Sequence, residues 1–529
     1  MKKLPIGIQT FSEIREENYI YIDKTKYIHK IATEGKVYFL SRPRRFGKSL
    51  LISTIKELFK GNAKLFEGLY VYDNWDWDQQ YPVILLDFGG GDYETINSLE
   101  DTINDIIYEL AREFQVKIYS KTLGRKFKDL ITGIYNKTGK KVVVLIDEYD
   151  KPIISNLQNK NLKKIQTKLG SFYEILKVND QYIKFLFITG ISKLAHISVF
   201  SKLNNLDDLT LINEFNSICG YTQEEFENNF QEYIEKLSNK LNKSYDDIIN
   251  QIKSYYNGYS WNGLEKVYNP YSTLLCLKHG EFSKNWFNTG TPSVLTDFPL
   301  SKYTIKAIAE PSKVTDSEIK NSTSKNIKDE VLLFQTGYLT IENIKVEKIG
   351  GIYTLKIPNY EVETALYENL INQYSKISYV DFIEYAEKLL KYTIEGNCEK
   401  ITETIGDYLS PISNKLRGTE ERYYHSIIFI LLYTGGLNVQ NEVSSYKGSA
   451  DLVLKEGNNV IVLEFKQDKV KSINYMIKKG LEQIEKKEYT RQYKNKNIIK
   501  WVIAFRDKEI GCKIIKEWKK QLQVLYFSW

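Results

Sequence analysis

Short, uninterrupted apolar runs recur through the first 190 residues: 36–41 (KVYFLS), 83–88 (VILLDF), 142–146 (VVVLI) and 185–189 (FLFIT). Apolar runs of this length without polar alternation are the mark of strands buried on both faces. Between them the period changes. Residues 50–59 carry apolar side chains at helical spacing, and 98–114 is polar and helix-favouring. Strands alternating with helices predict an α/β unit built on an open, mainly parallel sheet. From 213 to about 350 the pattern predicts a helical lid or connector, with helices at 223–241 and 245–255 and aromatic-rich turns at 256–261 and 268–271. Helices are expected from about 354 to 409 and at 421–432. Strands at 439–443, 449–454 and 460–465, a helix at 473–489 and a strand at 498–505 then predict a second α/β unit. No internal repeat or low-complexity linker interrupts this order. The expected domains are 1–212, 213–353 and 354–529.

Composition narrows the class. A chain of 529 residues suggests about three domains. With 42% hydrophobic and 27% charged residues, it has the balance of a folded globular protein and not of a disordered one. The net charge of +7 is localised: residues 420–529 hold 20 Lys/Arg against 13 Asp/Glu, whereas the first 419 hold 54 of each sign. A local basic excess points to a polyanionic partner or to a lysine-rich solvated face. The 40 tyrosines and abundant Lys, Asn and Ile read as compositional bias. Four cysteines and four histidines are scattered, without the short paired spacing of a structural zinc site or a disulfide framework. Reduced thiols, the lack of an apolar leader in residues 1–20, and a longest apolar stretch of about 14 residues at 426–439 predict a soluble cytoplasmic protein without membrane contact.

Gly47-Lys48-Ser49 follows a predicted strand and opens a predicted helix, the setting of a phosphate-binding loop. Lys48 is placed to reach the β- and γ-phosphates of ATP. Backbone N–H groups at the helix start cradle the anion, and the Ser49 hydroxyl ligates Mg²⁺. The loop departs from GxxxxGK[ST] at its first glycine, which is Arg42. Residues 141–150 (KVVVLIDEYD) supply the second half: an apolar strand ending in acids, with Asp147 for the Mg²⁺ shell and Glu148 to polarise the attacking water. Thr189, at the end of the next strand and ahead of Ser192 and Lys193, occupies the position of a γ-phosphate sensor. The expected nucleotide contacts are Arg44, Arg45, Phe46, Gly47, Lys48, Ser49, Leu50 and Thr189.

Several segments together carry a family resemblance: 21–25 (YIDKT), 40–50 (LSRPRRFGKSL), 145–152 (LIDEYDKP), 200–207 (FSKLNNLD), 268–271 (YNPY), 286–292 (WFNTGTP) and 336–340 (TGYLT). They resemble bacterial AAA-ATPase-like proteins that end in a nuclease-like domain of the PD-(D/E)XK superfamily. The resemblance implies an ASCE-type ATPase sheet at the N-terminus and a PD-(D/E)XK-like α/β domain at the C-terminus. It also implies that a missing first glycine is ordinary in this family, and that Arg44 or Arg45 touches phosphate; pairing with nearby acids is the alternative.

The C-terminal constellation is Asp451 on one strand with Glu464 and Lys466 on the next. Residues two apart on a strand share a face, so Glu464 and Lys466 project together. Two carboxylates beside a lysine suit Mg²⁺ and a water poised for phosphodiester attack. Glu421 and His425, one helical turn apart, and Glu442 are candidates to complete the metal site. Gln483 and Tyr489 lie on the helix that backs this site in resembling proteins. Where the family often has Gly-Arg-x-Asp, this chain has Gly448-Ser449-Ala450-Asp451. Three functions stay open: an ATPase coupled to a Mg²⁺-dependent nuclease acting on DNA or RNA, a nucleotide-switched binding protein that does not cut, and an assembly ATPase forming homo-oligomers.

Overall fold

The run Val142–Asp147 (VVVLID) is buried at every position and forms β3, an inner strand of the first sheet. A computed structural model describes residues 1–157, 159–192, 205–283, 285, 311–320, 327–347, 350–366, 379–410, 424–425, 428–429, 431–432, 437, 439–445, 448–493, 495–507 and 509–517. It divides into two compact units, Met1–Glu363 and Thr364–Trp529.

In the first unit, β1 (Val37–Ser41), β2 (Val83–Asp87), β3, β4 (Ile183–Gly190) and the short β5 (Asp207–Asp208) form one parallel sheet in the order β2-β3-β4-β1-β5. The parallel α/β sheet expected from the apolar runs is present. The helices Ile96–Glu113, Leu123–Thr138 and Leu162–Val178 bury Leu99, Ile103, Leu130, Ile134, Leu169 and Phe172 in a core shared with the strands. Each such side chain contributes about 1.5–3 kcal/mol on burial. Because β4 lies between β1 and β3, the carboxyl ends of three strands converge, and this is where ligands bind in open parallel sheets.

The middle region is helical as expected, with Gln223–Leu241, Tyr245–Tyr256 and Pro270–His279. Their inner faces pack with Ile20 and Ile22, so the N-terminal segment shares this core. The region also holds a three-stranded antiparallel sheet that the sequence reading did not anticipate: β6 (Ser312–Thr315), β7 (Thr340–Glu347) and β8 (Gly350–Lys356), in the order β6-β8-β7. The outer half of β7 alternates half-buried and exposed positions and leaves little apolar signal.

The second unit carries the helices Tyr379–Glu395 and Cys398–Leu409, then the sheet β13-β12-β11-β10-β9. Its strands are β9 (Val439–Ser445), β10 (Gly448–Glu456), β11 (Asn459–Gln467), β12 (Asn497–Arg506) and β13 (Glu509–Glu517). The β11–β12 pair is parallel, crossed over by the helix Ile473–Lys486, and the other pairs are antiparallel. β13 was not read from the sequence. None of the four cysteines forms a disulfide, and no helix among the described residues is long and apolar enough to cross a membrane.

Candidate functional site

β1 ends at Ser41, and the helix Lys48–Phe59 begins after a loop whose last residue, Gly47, has φ +91°. An L side chain rarely adopts that conformation, so glycine is required there. No side chain caps this helix, which leaves its first-turn N–H groups without side-chain acceptors, the condition under which a helix start can take an anion. Lys48 is buried; its Nζ donates to the carbonyls of Arg42 (2.9 Å) and Pro43 (3.0 Å). Burial pushes the Lys48 pKa down, opposed by the charges of Asp147 and Glu148. The expected triad of loop, lysine and strand-end acids is therefore brought together.

Arg42, in the place of the standard glycine, does not face the anion site. Its guanidinium is fully buried, donating from Nη1 to the carbonyls of Ser41 (2.9 Å) and Thr210 (3.0 Å) and from Nη2 to Phe215 (2.8 Å). The Trp261 ring lies 3.9 Å from it, and burial lowers its pKa to about 10. Phe46 packs edge-on against Tyr259 and Trp261. Arg45, at φ +69°, stacks its guanidinium 4.5 Å from the Tyr271 ring centre.

At the carboxyl edge of the sheet, Asp147 is buried and accepts the Thr189 hydroxyl and, on the same Oδ1, the Glu148 N–H at 3.0 Å. Thr189, expected as a γ-phosphate sensor, is fully buried, bonds the Asp147 carboxylate and is not among the residues that line the neighbouring cavity. Glu148 has φ +50°, a strain of order 1–3 kcal/mol for a non-glycine residue, held by the Lys151 N–H on its carbonyl (2.9 Å) and by the Asp147 carboxylate. Asp150 is buried and accepts Ile191 N–H (3.1 Å) and the Ser192 N–H (2.7 Å) and hydroxyl (2.9 Å), with burial raising its pKa. It ties the acidic strand end to the end of β4.

Beside the loop and Glu148 lies a cavity of about 370 Å³. Arg44, Arg45, Phe46, Gly47, Lys48, Ser49, Leu50 and Glu148 line one side; Tyr21, Ile22, Lys24, Cys219, Tyr271 and Leu274 line the other. Sequence reasoning assigned no site role to this second wall. Its signal was present in YIDKT and YNPY, both read as family segments only. Lys24 holds its place by donating to both carboxylate oxygens of Glu225 at 2.6 Å.

In the second unit, Leu452 pairs with Leu463, which sets Asp451 and Glu464 side by side across β10 and β11. Glu464 is fully buried, and its Oε1 lies 3.0 Å from Lys466 Nζ. Asp451 Oδ2 accepts the Phe465 N–H at 2.8 Å, and its carbonyl lies 3.2 Å from His425 Nε2. Burial, with the charges of Glu464 and Asp451, holds the Tyr489 phenol above its ordinary range; Gln483 Nε2 donates to it at 3.2 Å. Asp451, Glu464, Lys466, Tyr489 and Gln483 thus form one neighbourhood. Oxygen donors of this kind suit Mg²⁺, which takes one or two carboxylates and keeps several waters. Among the described residues no group of three or more His, Cys, Asp or Glu is gathered to hold a metal. Glu421, Lys193 and the segment 286–292 lie outside the described residues, as do the side chains of Glu442 and Ser449.

The model of a family described as predicted AAA-ATPase matches residues 5–200, and that of the PD-(D/E)XK nuclease superfamily matches residues 419–517. The chain is 34% identical over 502 residues to an uncharacterized protein in the vnfD 5′ region of Azotobacter chroococcum mcd 1, covering 93% of this chain and 94% of that protein.

Proposed function

The chain belongs to the family of predicted AAA-ATPases that carry a PD-(D/E)XK nuclease superfamily domain towards the C-terminus, and from that membership we propose that it is a cytoplasmic ATPase coupled to a Mg²⁺-dependent nuclease acting on DNA or RNA. Residues 1–212 serve as the ATPase domain, 213–353 as the connector that relays its state, and 354–529 as the nuclease-like domain. The observation that carries the reading is the convergence of Lys48, Ser49 and Glu148 on one cavity, with Asp147 and Thr189 joined behind them.

In this reading the uncapped helix start and Lys48 hold the phosphates, and Ser49 with Asp147 holds Mg²⁺. The bound metal supplies positive charge against the phosphate oxygens. Glu148 orients the attacking water and takes its proton, and Thr189 keeps the Asp147 carboxylate aimed. In the second unit Asp451 and Glu464 hold Mg²⁺ and Lys466 orients the nucleophile.

A nucleotide-switched binding protein that does not cut is the second reading. It is favoured by Ser449, which stands where the family often has arginine. One experiment separates them. ATP turnover and nicking of plasmid, single-stranded DNA and RNA are measured with Mg²⁺ or Mn²⁺. The coupled-nuclease reading expects Lys48→Ala to abolish turnover, Glu148→Gln to keep ATP binding while slowing hydrolysis roughly 10²–10⁴-fold, and Asp451→Ala or Lys466→Ala to abolish cleavage alone. Tight nucleic-acid binding without cleavage by the unaltered chain supports the switch. Normal turnover by Lys48→Ala overturns the nucleotide site.

A further inference from the structure

The loop carries three arginines: Arg42 is buried away from the cavity, whereas Arg44 and Arg45 line it. Arg45 borders the cavity next to Gly47 and Lys48. Among the described residues no carboxylate lies within ion-pairing distance of it, and its one recorded partner is the face of Tyr271 at 4.5 Å. A guanidinium beside Lys48 with no acid to balance it favours an anion in the cavity. The ring fixes where that guanidinium stands, because the cation is attracted to the π face.

Tyr271 is itself firmly set. It follows Pro270 at the start of the helix Pro270–His279, whose N-cap Asn269 accepts the Ser272 N–H at 3.1 Å. Proline at the first helical position and a side-chain cap are the strongest local determinants of a helix start. The ring is half-buried and lines the same cavity as the loop. The helix thus reaches the phosphate loop through one aromatic side chain, which touches the loop at the arginine that needs placing.

We infer that Tyr271 is a positioning residue of the nucleotide site: by stacking on Arg45 it holds the guanidinium where the polyphosphate of a nucleoside triphosphate lies. This rests on the nucleotide reading above. It goes beyond that reading by bringing a residue of the middle region into phosphate recognition and by choosing Arg45 for it.

The test is a double-mutant cycle on the full chain, with ATP and adenosine as probes and binding followed by calorimetry. Tyr271→Phe keeps the ring and is expected to bind ATP as the unaltered chain does. Tyr271→Leu is expected to bind ATP roughly 2- to 30-fold more weakly, the span of cation–π energies from exposed to desolvated sites, and to bind adenosine unchanged. In an Arg45→Gln background the same Tyr271→Leu change is expected to have no further effect. Arg45→Gln, on a half-buried loop residue, tests the pair from the other side should Tyr271→Leu fold poorly. Equal weakening of adenosine and ATP, additive effects of the two substitutions, or unchanged ATP affinity in Tyr271→Leu each overturn the inference while leaving the nucleotide site standing. ATP binding that is absent in the unaltered chain overturns both.

Discussion

Arg42 shows how one residue can mislead a motif search and still report on the fold. At the loop's first position a glycine is expected for backbone freedom, yet this chain invests a fully buried cation there. The side chain turns away from the cavity and joins the carbonyls of Ser41, Thr210 and Phe215 under the Trp261 ring. Restoring the standard motif with Arg42→Gly should therefore damage the protein. It would strand three buried carbonyls, each costing about 1–3 kcal/mol when left without a donor, and remove the ring contact. The backbone freedom that a glycine brings does not offset this. The expected loss is about 3 kcal/mol or more of unfolding free energy, measured as a lower denaturant midpoint by circular dichroism. A midpoint unchanged within error would mean that the guanidinium cluster contributes nothing to the fold.

At the scale of elements, the helix Ile473–Lys486 carries Gln483 towards Tyr489 and sits on β12 through Gly480. A Cβ at Gly480 would lie 2.5 Å from Val502 Cγ1, and Val502 is a stiff, fully buried β-branched residue in the sheet. Gly480→Ala sets two effects against each other. Helix propensity favours alanine by about 1 kcal/mol, whereas overpacking costs about 1–3 kcal/mol. At 2.5 Å the clash wins, so a net destabilisation of up to about 2 kcal/mol is expected, together with weaker metal-dependent cleavage as the helix lifts. Thermal unfolding monitored beside a nicking assay checks both. The same elements show what the sequence could tell. The runs at 83–88, 142–146 and 185–189 were legible as strands because burial on both faces removes polar positions, and GKS with LIDEYD was legible because local spacing sets their chemistry. The sheet β6-β8-β7 was not, since the outer half of β7 alternates half-buried and exposed positions and β6 joins β8 from far along the chain, although β7 and β8 are neighbours in sequence. Nor was the cavity's second wall, because Tyr21, Cys219 and Tyr271 come to line one cavity only through the packing of segments far apart in the chain.

Over the whole molecule the charge distribution makes the furthest-reaching prediction. The first 419 residues balance at 54 of each sign, and the net +7 lies entirely in residues 420–529, the stretch that contains Asp451, Glu464 and Lys466. A polyphosphate strand attracted by this excess releases counterions, so log K falls with log salt by about 0.9 per phosphate neutralised on duplex DNA. Lys469 and Lys471 are exposed in the turn that leaves β11 just past Lys466, and Lys478 is exposed on the helix that follows. The turn's backbone is pinned by Asp468, which accepts the Val470 N–H (2.8 Å) and the Lys471 N–H (3.2 Å). Replacing Lys469, Lys471 and Lys478 with glutamine should weaken duplex binding and flatten its salt dependence by about 0.9 for each phosphate no longer neutralised. ATP turnover without nucleic acid should stay unchanged, since none of the three belongs to the first unit. The matched control replaces the exposed Lys64, Lys121 and Lys141 of the neutral region. The measurement is fluorescence anisotropy of a labelled duplex across a salt series. If the control flattens the slope as much as the C-terminal triple, nucleic-acid affinity does not reside in the basic fifth of the chain, and the charge there is only a solvated face.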